Sequence, residues 1–371
     1  MSAAEPGRPA RELRAVLERL LPAHRTAWGE DDSFAARLAW QRSLAAAGWA
    51  APGWPVAHGG RGLGAVDRVE CDQEIAEAGA PQLAGVLGLQ NVGPALIMFG
   101  SEEQRRSLPR ILTGDEIWVQ GFSEPEAGSD LAGLRTRADA HGDDFVVNGQ
   151  KVWTTDGMEA THMLLLARTD QEAPRHRGIS AILVDLAAPG VERRPLRKIT
   201  GDHGFAEFFF TDVRVPRARL LGALHGGWTV TTKTLGYERT GVINHAARLE
   251  REVRGLVEVV DIADPVLRDR LVRCWIDARL TGLMGVRALE KLRDGDDPGA
   301  EQSIIKFAWS LATSRLGETM LDASGHAGLL ASSPAARRFV ATRSSTIAAG
   351  TTEIMRTLLA ERVLGLPREP T

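Results

Sequence analysis

The chain has 371 residues, of which 43% are hydrophobic and 25% are charged. This is the composition of an ordinary globular protein, and the length allows two or three domains. A formal net charge of -3 argues against a nucleic-acid-binding surface. Two cysteines, Cys71 and Cys274, are too few for a disulfide framework, and without a Cys/His cluster no metal site is expected. The charged N-terminus lacks the apolar core of a signal peptide, so we expect a cytoplasmic protein with no membrane insertion.

Residues 1–116 have apolar positions at helical spacing and predict an N-terminal α-helical domain. The periodic segments are RELRAVLERLL, SFAARLAWQRSLAAAGW, VDRVECDQEIAEAG and SEEQRRSLPRILTGD. A stretch rich in glycine and proline, GWAAPGWPVAHGGRGLG, separates the second segment from the third and predicts a connector.

Residues 117–222 change to the pattern of strands and predict a compact, β-barrel-like middle domain. The segment DFVVNGQKVWTT is interpreted as a hairpin, with Asn148 and Gly149 in a tight turn. Three further strands are predicted in THMLLLART, GISAILVDL and AEFFFTDVRVP. The basic cluster between Arg193 and Lys198 is interpreted as a solvated strand or a phosphate contact.

Residues 223–371 return to helical spacing and predict a C-terminal four-helix bundle. Residues 229–260 are compatible with one long helix, two more helices follow, and the C-terminal segment supplies a fourth. The fold class predicted for the whole chain is therefore α+β, with a helical domain, a β domain and a helical bundle in that order.

Four segments contain residues that could carry chemistry, although each also has a simpler interpretation. The loop from Gly121 to Ala138 offers backbone donors and hydroxyls to a phosphate or a flavin, or it is a polar turn. In KVWTTDG, Trp153 could stack on a planar cofactor, or it could belong to the core. In LGYERTG, Glu238 could be a base at a cavity wall, or it could form an exposed ion pair with Arg239. The loop STIAAGTTEI could contact a ligand or could simply cap the helix that follows.

The order and spacing of these segments resemble the acyl-CoA dehydrogenase family over essentially the whole chain. The matching pieces are WPVAHGGRGLG, GFSEPEAGSDLAGLRTRA, NGQKVWTTDG, HRGISAILVD, FTDVRVP, GGWTV, LGYERTG and IAAGTTEIMRTLLAERVLGLP. The ending ERVLGLPRE looks like the bacterial branch that includes actinobacterial enzymes acting on bulky acyl groups such as sterol side chains. The resemblance implies an FAD-dependent α,β-dehydrogenation of an acyl-CoA thioester to the trans-2-enoyl-CoA. A carboxylate removes the α-proton and the β-hydride passes to flavin N5.

The resemblance also implies roles for individual residues. The cofactor-binding residues it implies are Phe122, Ser123, Gly128, Ser129, Trp153, Thr154, Thr155, Thr351 and Glu353. The substrate-binding residues it implies are Ser129, Thr169, Arg239 and Gly350. Many family members carry the catalytic glutamate where this chain has Ala349, which cannot accept a proton. A second subgroup places the base on the first long bundle helix, at the position of Glu238, so Glu238 is the predicted base. Ala349 is expected to contribute only its backbone N–H to the thioester oxygen.

Three departures from the family pattern bear on cofactor binding and assembly. Glu126 stands where the family usually has glycine, and the Arg-x-x-Phe-Gly element that reaches a partner's FAD is not found. The Gln and double Gly of a later bundle loop are also altered, and the loop reads LDASGHAGLL here. The expected assembly is a homo-oligomer or a heterotetramer with a second acyl-CoA dehydrogenase-like subunit, and the expected electron acceptor is an electron-transfer flavoprotein. Two alternatives remain open, namely a non-catalytic subunit of such a heterotetramer and another flavin oxidase or monooxygenase on the same fold.

Overall fold

A computed structural model describes residues 7–237, 241–258, 260–261, 263–296 and 301–367. Contacts within the chain divide it into two compact units, one comprising Met1–Gly64 and Glu77–Glu238 and the other Ala65–Ala76 and Arg239–Thr371. The α-helices of the described residues are α1 (Arg8–Trp28), α2 (Phe34–Ala46), α3 (Ala65–Glu77), α4 (Gly93–Phe99), α5 (Glu102–Arg105), α6 (Leu108–Thr113), α7 (Gly227–Tyr237), α8 (Gly241–Val257), α9 (Pro265–Arg293), α10 (Glu301–Ala323), α11 (Pro334–Thr342) and α12 (Thr352–Arg362).

Within the described residues, eight strands form one sheet, in the first unit. They are β1 (Trp118–Gly121), β2 (Arg137–His141), β3 (Asp144–Thr155), β4 (His162–Arg168), β5 (Ile179–Asp185), β6 (Val191–Leu196), β7 (Phe205–Pro216) and β8 (Leu220–Leu221). The strand order is β6-β7-β3-β2-β4-β5-β8, and β1 pairs in parallel with β4. The basic strand β6 lies at an edge of the sheet with its central side chains exposed, as the solvated-strand interpretation predicts.

Two apolar clusters of the described residues are built on the sheet of the first unit. One joins strands β4 and β5 to Trp54, to α4 and to Val230 of α7. The other lies among β3, β4, β5 and β7 and contains Phe145 and Phe208. Because five consecutive residues of β4 are buried, this strand has apolar side chains on both faces and anchors both clusters. The residues that follow β1, β3 and β4 are therefore held on a rigid frame.

The second unit is helical, and α10 packs against α8, α9, α11 and α12. Its main apolar cluster joins α8, α9 and α10 and contains Leu249, Val253 and Leu316. The predicted long helix of residues 229–260 is represented by α7 and α8, and residues 238–240 between them lie outside the described part of the chain.

The hairpin predicted at Asn148 and Gly149 is wrong, because β3 runs through both residues and pairs with β7 on either side of them. The turn that joins β2 to β3 lies instead at Gly142, whose φ is 59°. Gly149 has a φ of 151° at a shift in the β3–β7 register, which is a β-bulge. A Cβ there would lie 2.7 Å from the backbone Cα of Thr136, the residue just before β2. Glycine is therefore needed for this close approach of the two backbones and not for a turn.

Candidate active site

A buried ion pair between Glu124 and Lys151 of β3 fixes the loop that follows β1. Lys151 of β3 is fully buried, and its Nζ lies 2.7 Å from Glu124 Oε1 and 3.0 Å from the Phe122 carbonyl oxygen. The Glu124 carboxylate also accepts hydrogen bonds from the backbone N–H groups of Arg135 and Thr136, at 2.7 and 2.8 Å. One carboxylate thus ties both ends of the loop to β3.

The environment of this pair shifts both pKa values. Burial lowers the pKa of Lys151 to about 8 and outweighs the attraction of Glu124. Burial alone would raise the pKa of Glu124, but the Lys151 charge and the hydrogen bonds from Lys151, Thr136 and Arg135 bring it below its usual value. Glu124 is therefore ionised at neutral pH, and the loop is held by charge-assisted hydrogen bonds.

Trp153, predicted to stack on a planar cofactor, is an exposed aromatic residue on a strained segment. The β3–β7 register shifts between Lys151 and Thr154, and Trp153 within this bulge has a φ of 61°. Its side chain is 59% exposed, and its ring meets the edge of Phe205 at 5.9 Å between centroids. A core tryptophan would be buried, so the core interpretation is wrong. A large exposed ring held at positive φ is typical of a ligand-contacting position.

A residue that sequence reasoning missed lies beside these positions. Gln120 of β1 has a buried side-chain Nε2 with no hydrogen-bond partner among the described residues. The Gln120 carbonyl oxygen accepts a hydrogen bond of 3.5 Å from the Thr154 hydroxyl. Buried amide groups are rarely left unpaired, so this atom points to an additional hydrogen-bond acceptor. Together with the exposed Trp153 ring, it fits a flat cofactor with polar edges.

The remaining predicted residues of the first unit are accessible to differing degrees. Phe122, Ser123 and Thr155 are half-buried, Thr154 is buried, and Gly128 and Ser129 are exposed. A Cβ added to Gly128 would meet nothing within 4 Å, so the loop leaves open space there. Glu126, the departure from the family pattern, pairs with Arg135 at 2.8 Å, which offsets the negative charge that it brings to this loop.

Thr169, predicted to lie near the CoA moiety, belongs to a hydrogen-bonded group at the end of β4. Its hydroxyl lies 2.7 Å from Ser180 Oγ and 2.9 Å from His225 Nδ1. The His225 backbone N–H donates to Ser180 Oγ at 2.8 Å, and His225 has a φ of 62°. Sequence reasoning missed Ser180 and His225 because neither belongs to a motif of reactive residues.

The terminal loop of the second unit places two residues at positive φ in succession. Ala349 has a φ of 55° and Gly350 a φ of 96°. Within the described part of the chain, the backbone N–H groups of Ala349 and Gly350 donate no hydrogen bond. Thr351 is the N-cap of α12, since its hydroxyl accepts from the Ile354 N–H at 3.2 Å. The capping interpretation is therefore correct for Thr351, and Glu353 lies exposed in the first turn of α12.

A cavity of about 250 Å³ lies behind this loop, within the second unit. Its lining residues are Lys306, Trp309, Thr313, Arg338, Ala341, Thr342, Ser344, Ser345, Ala348 and Ala349. The predicted base Glu238 and the predicted substrate contact Arg239 lie outside the described residues. Among the residues that are described, no group of three or more His, Cys, Asp or Glu side chains could hold a metal ion.

Three family models match the chain. The acyl-CoA dehydrogenase N-terminal domain matches residues 9–115, the middle domain residues 120–213 and the C-terminal domain residues 225–364. The chain belongs to the acyl-CoA dehydrogenase family, and it is an enzyme of the class that oxidises acyl-CoA thioesters. The α+β fold class expected from the sequence is confirmed.

Similar proteins come from mycobacteria and from solved complexes. Acyl-CoA dehydrogenase IpdE1 of Mycolicibacterium smegmatis is 41% identical over 361 residues, covering 92% of this chain and 91% of that protein. The structure titled Tcur3481-Tcur3483 steroid ACAD has a TM-score of 0.86 at 30% identity and covers 100% of both chains. The ChsE4-ChsE5 complex from Mycobacterium tuberculosis has a TM-score of 0.83 at 32% identity and also covers 100% of both chains. Within the described residues, no helix has the length and apolarity needed to cross a membrane.

Proposed function

We propose that the protein dehydrogenates an acyl-CoA between its α and β carbons, with FAD as cofactor and Glu238 as the base. The observation that carries the cofactor assignment is the exposed Trp153 ring at positive φ. The buried Gln120 amide, which has no partner among the described residues, supports it. When bound, FAD supplies the hydride acceptor for the β-carbon. The residues proposed to hold it are Phe122, Ser123, Gly128, Ser129, Trp153, Thr154, Thr155, Thr351 and Glu353.

The role of the terminal loop follows from its unpaired backbone donors. Removing an α-proton moves negative charge onto the thioester oxygen, and preorganised N–H groups aimed at that oxygen lower the barrier. The Ala349 N–H has no acceptor in the described part of the chain, and its positive φ is the strain expected where a backbone is shaped for a ligand. The adjacent Gly350 would contact the substrate. Neither residue carries a group that accepts a proton, which leaves Glu238 as the proposed base.

Glu238 and Arg239 follow directly on α7, which is packed against β5 and α4. We propose that the Glu238 carboxylate takes the α-proton and that Arg239 lies beside the substrate. We propose that the hydrogen-bonded cluster of Thr169, Ser180 and His225 offers polar contacts to the CoA part of the substrate. We also propose that the chain has three domains, at residues 1–116, 117–222 and 223–371.

We propose that the working enzyme is a heterotetramer with a second acyl-CoA dehydrogenase-like subunit and that an electron-transfer flavoprotein accepts its electrons. Helix α9 supports association, because it exposes a stripe of large apolar side chains at spacings of three and four residues. The stripe comprises Val272, Ile276, Leu280 and Leu283, which are 48–54% exposed. The solved complexes Tcur3481-Tcur3483 and ChsE4-ChsE5 are the precedent for two kinds of subunit. A steroid-derived or otherwise bulky acyl group is the proposed substrate class, since the first of these is titled a steroid enzyme.

The test is anaerobic bleaching of the flavin absorbance by a panel of straight-chain, branched and sterol-derived acyl-CoAs. The proposal expects a yellow protein that is bleached by at least one bulky acyl-CoA and is reoxidised by an electron-transfer flavoprotein. A protein that is purified with its partner subunit and binds no flavin would refute the cofactor assignment. Rapid oxygen consumption with no other acceptor present would favour an oxidase instead.

A second candidate function is a non-catalytic subunit, and Ala349 is the observation that favours it. The experiment that distinguishes the two functions uses the assembled complex. There, Glu238→Gln in this chain abolishes acyl-CoA turnover only if this chain carries an active site. The double variant Glu238→Gln/Ala349→Glu places the carboxylate at position 349, where many family members carry their catalytic glutamate. Partial recovery of turnover there is expected for a catalytic chain and is excluded for a non-catalytic one.

A further inference from the structure

The cavity behind the terminal loop is formed by α10, α11 and the residues between α11 and α12. Its volume of about 250 Å³ is smaller than the roughly 300–1,000 Å³ of pockets that enclose a whole drug-sized ligand. It can therefore take one end of a ligand. Its lining includes Ala348 and Ala349, so it adjoins the loop proposed to bind the thioester oxygen.

The cavity contains a buried cation that lacks an anionic partner among the described residues. Lys306 is 7% exposed, and its Nζ donates to Ser310 Oγ at 2.7 Å and to the Ser345 carbonyl oxygen at 2.8 Å. Its Nζ also lies 5.4 Å from the centroid of the Trp309 ring, so the described contacts of this ammonium group are all with neutral groups. The other lining cation, Arg338, is instead paired with Glu252, whose Oε2 lies 2.9 Å from Arg338 Nε. A buried charge is normally compensated by an opposite charge, so Lys306 points to an anion that binds in the cavity.

A second and independent observation concerns Thr313, which lies about two helical turns after Lys306 on α10 and also lines the cavity. Thr313 is 3% exposed, it lines the cavity, and its hydroxyl has no hydrogen-bond partner in the described part of the chain. Other threonines of the structure, such as Thr319 on the same helix, donate to the carbonyl oxygen one turn earlier. The Thr313 hydroxyl is thus available to a ligand. A ligand that bonds to it would remove the free-energy cost of leaving a buried hydroxyl unpaired.

We propose that this cavity binds a carboxylate, held by the Lys306 ammonium and the Thr313 hydroxyl, and that the carboxylate belongs to the distal end of the acyl group. Trp309, Ala341 and Ala348 supply apolar walls for the carbon skeleton that leads to it. Burial lowers the pKa of Lys306, and a bound carboxylate would favour its charged form. The assignment to the acyl group rests on the proposed function, whereas the carboxylate site itself does not.

The test compares pairs of acyl-CoAs of equal chain length, one ending in a carboxylate and one in a methyl group. Their binding to the flavin-loaded enzyme, with its partner subunit, is followed by anaerobic flavin bleaching. We expect the carboxylated member to bind about tenfold more tightly or better, as a charge-assisted hydrogen bond implies. Lys306→Met should remove this preference, and Thr313→Val should reduce it several-fold. Thr319→Val, the same change on the same helix outside the cavity, should leave the preference intact.

Thr313→Val has the shape of the native side chain and removes only an unpaired hydroxyl, so it keeps the test informative if Lys306→Met fails to fold. Equal affinities for the two members of every pair in the wild-type enzyme would overturn the assignment to the acyl group. A parallel arm measures the thermal stabilisation of the same proteins by free adipate, which needs no turnover. Stabilisation by adipate that is lost in Thr313→Val would support the carboxylate site even if no acyl-CoA bleached the flavin. Equal behaviour of the wild type and Thr313→Val in both arms would refute the site.

Discussion

The buried pair of Lys151 and Glu124 is expected to make the largest single contribution to the order of the proposed flavin-binding loop. Lys151→Met keeps the length of the side chain but leaves the Glu124 carboxylate, which is 8% exposed, without its cation. It also leaves the Phe122 carbonyl oxygen without the donor at 3.0 Å. Breaking a buried pair by removing one partner costs about 3–5 kcal/mol. Glu124 keeps two backbone donors, so we expect the lower end of that range.

For a unit of this size, about 3 kcal/mol corresponds to a decrease in melting temperature of about 6–12 °C. The assay is thermal unfolding followed by circular dichroism, with flavin content measured on the same samples, and both are expected to fall. The matched control is Arg137→Met, which breaks the exposed pair with Asp139 in the same sheet and should cost less than about 1 kcal/mol. If Lys151→Met melted within about 2 °C of the wild type, the reasoning about this pair would be refuted.

Three further predictions concern the same unit. Gly149→Ala should lower the melting temperature, because its Cβ would meet Thr136 at a backbone φ that costs about 1–3 kcal/mol, whereas an unchanged melting curve would contradict the bulge geometry. Trp153→Ala should weaken flavin retention, measured by absorbance after gel filtration, without a loss of stability, since the ring is exposed; full flavin occupancy would argue against stacking. The pKa of Glu124 is lower in the folded state than its usual 4.5, so the unfolded state binds more protons. Its stabilising contribution is then present above about pH 4.5 and is lost as the pH falls through the lowered pKa. Acid-unfolding curves of the wild type should therefore be steeper than those of Glu124→Gln, and parallel curves would contradict this.

Periodicity predicted the helices and most strands of the chain, because each of those patterns is local. The segment RELRAVLERLL lies in α1, and the run THMLLLART contains β4. The segment around Asn148 and Gly149 was misinterpreted because Asn-Gly is a strong turn signal. Its conformation depends on Thr136, the residue just before β2, which approaches Gly149 too closely for a side chain. Local sequence contains no information on that approach.

The candidate site shows the same division between local and long-range information. The family pattern identified Trp153 and Ala349, but their positive φ values arise from a β-bulge and from the loop before α12. The Lys306 cavity could not be predicted, because its walls are brought together from α10 and from residues about 40 positions further along the chain. The missed residue Gln120 is recognisable only by the absence of a partner for its amide among the described residues.

The central claim is that this chain removes the α-proton of an acyl-CoA with Glu238 and not with the terminal loop. The most direct measurement is the rate of anaerobic flavin reduction by a substrate acyl-CoA in the wild-type enzyme and in Glu238→Gln, at equal flavin content. The account predicts a loss of at least about a hundredfold in the variant, which is the lower end of the usual contribution of a general base. A rate in Glu238→Gln equal to that of the wild type would contradict it.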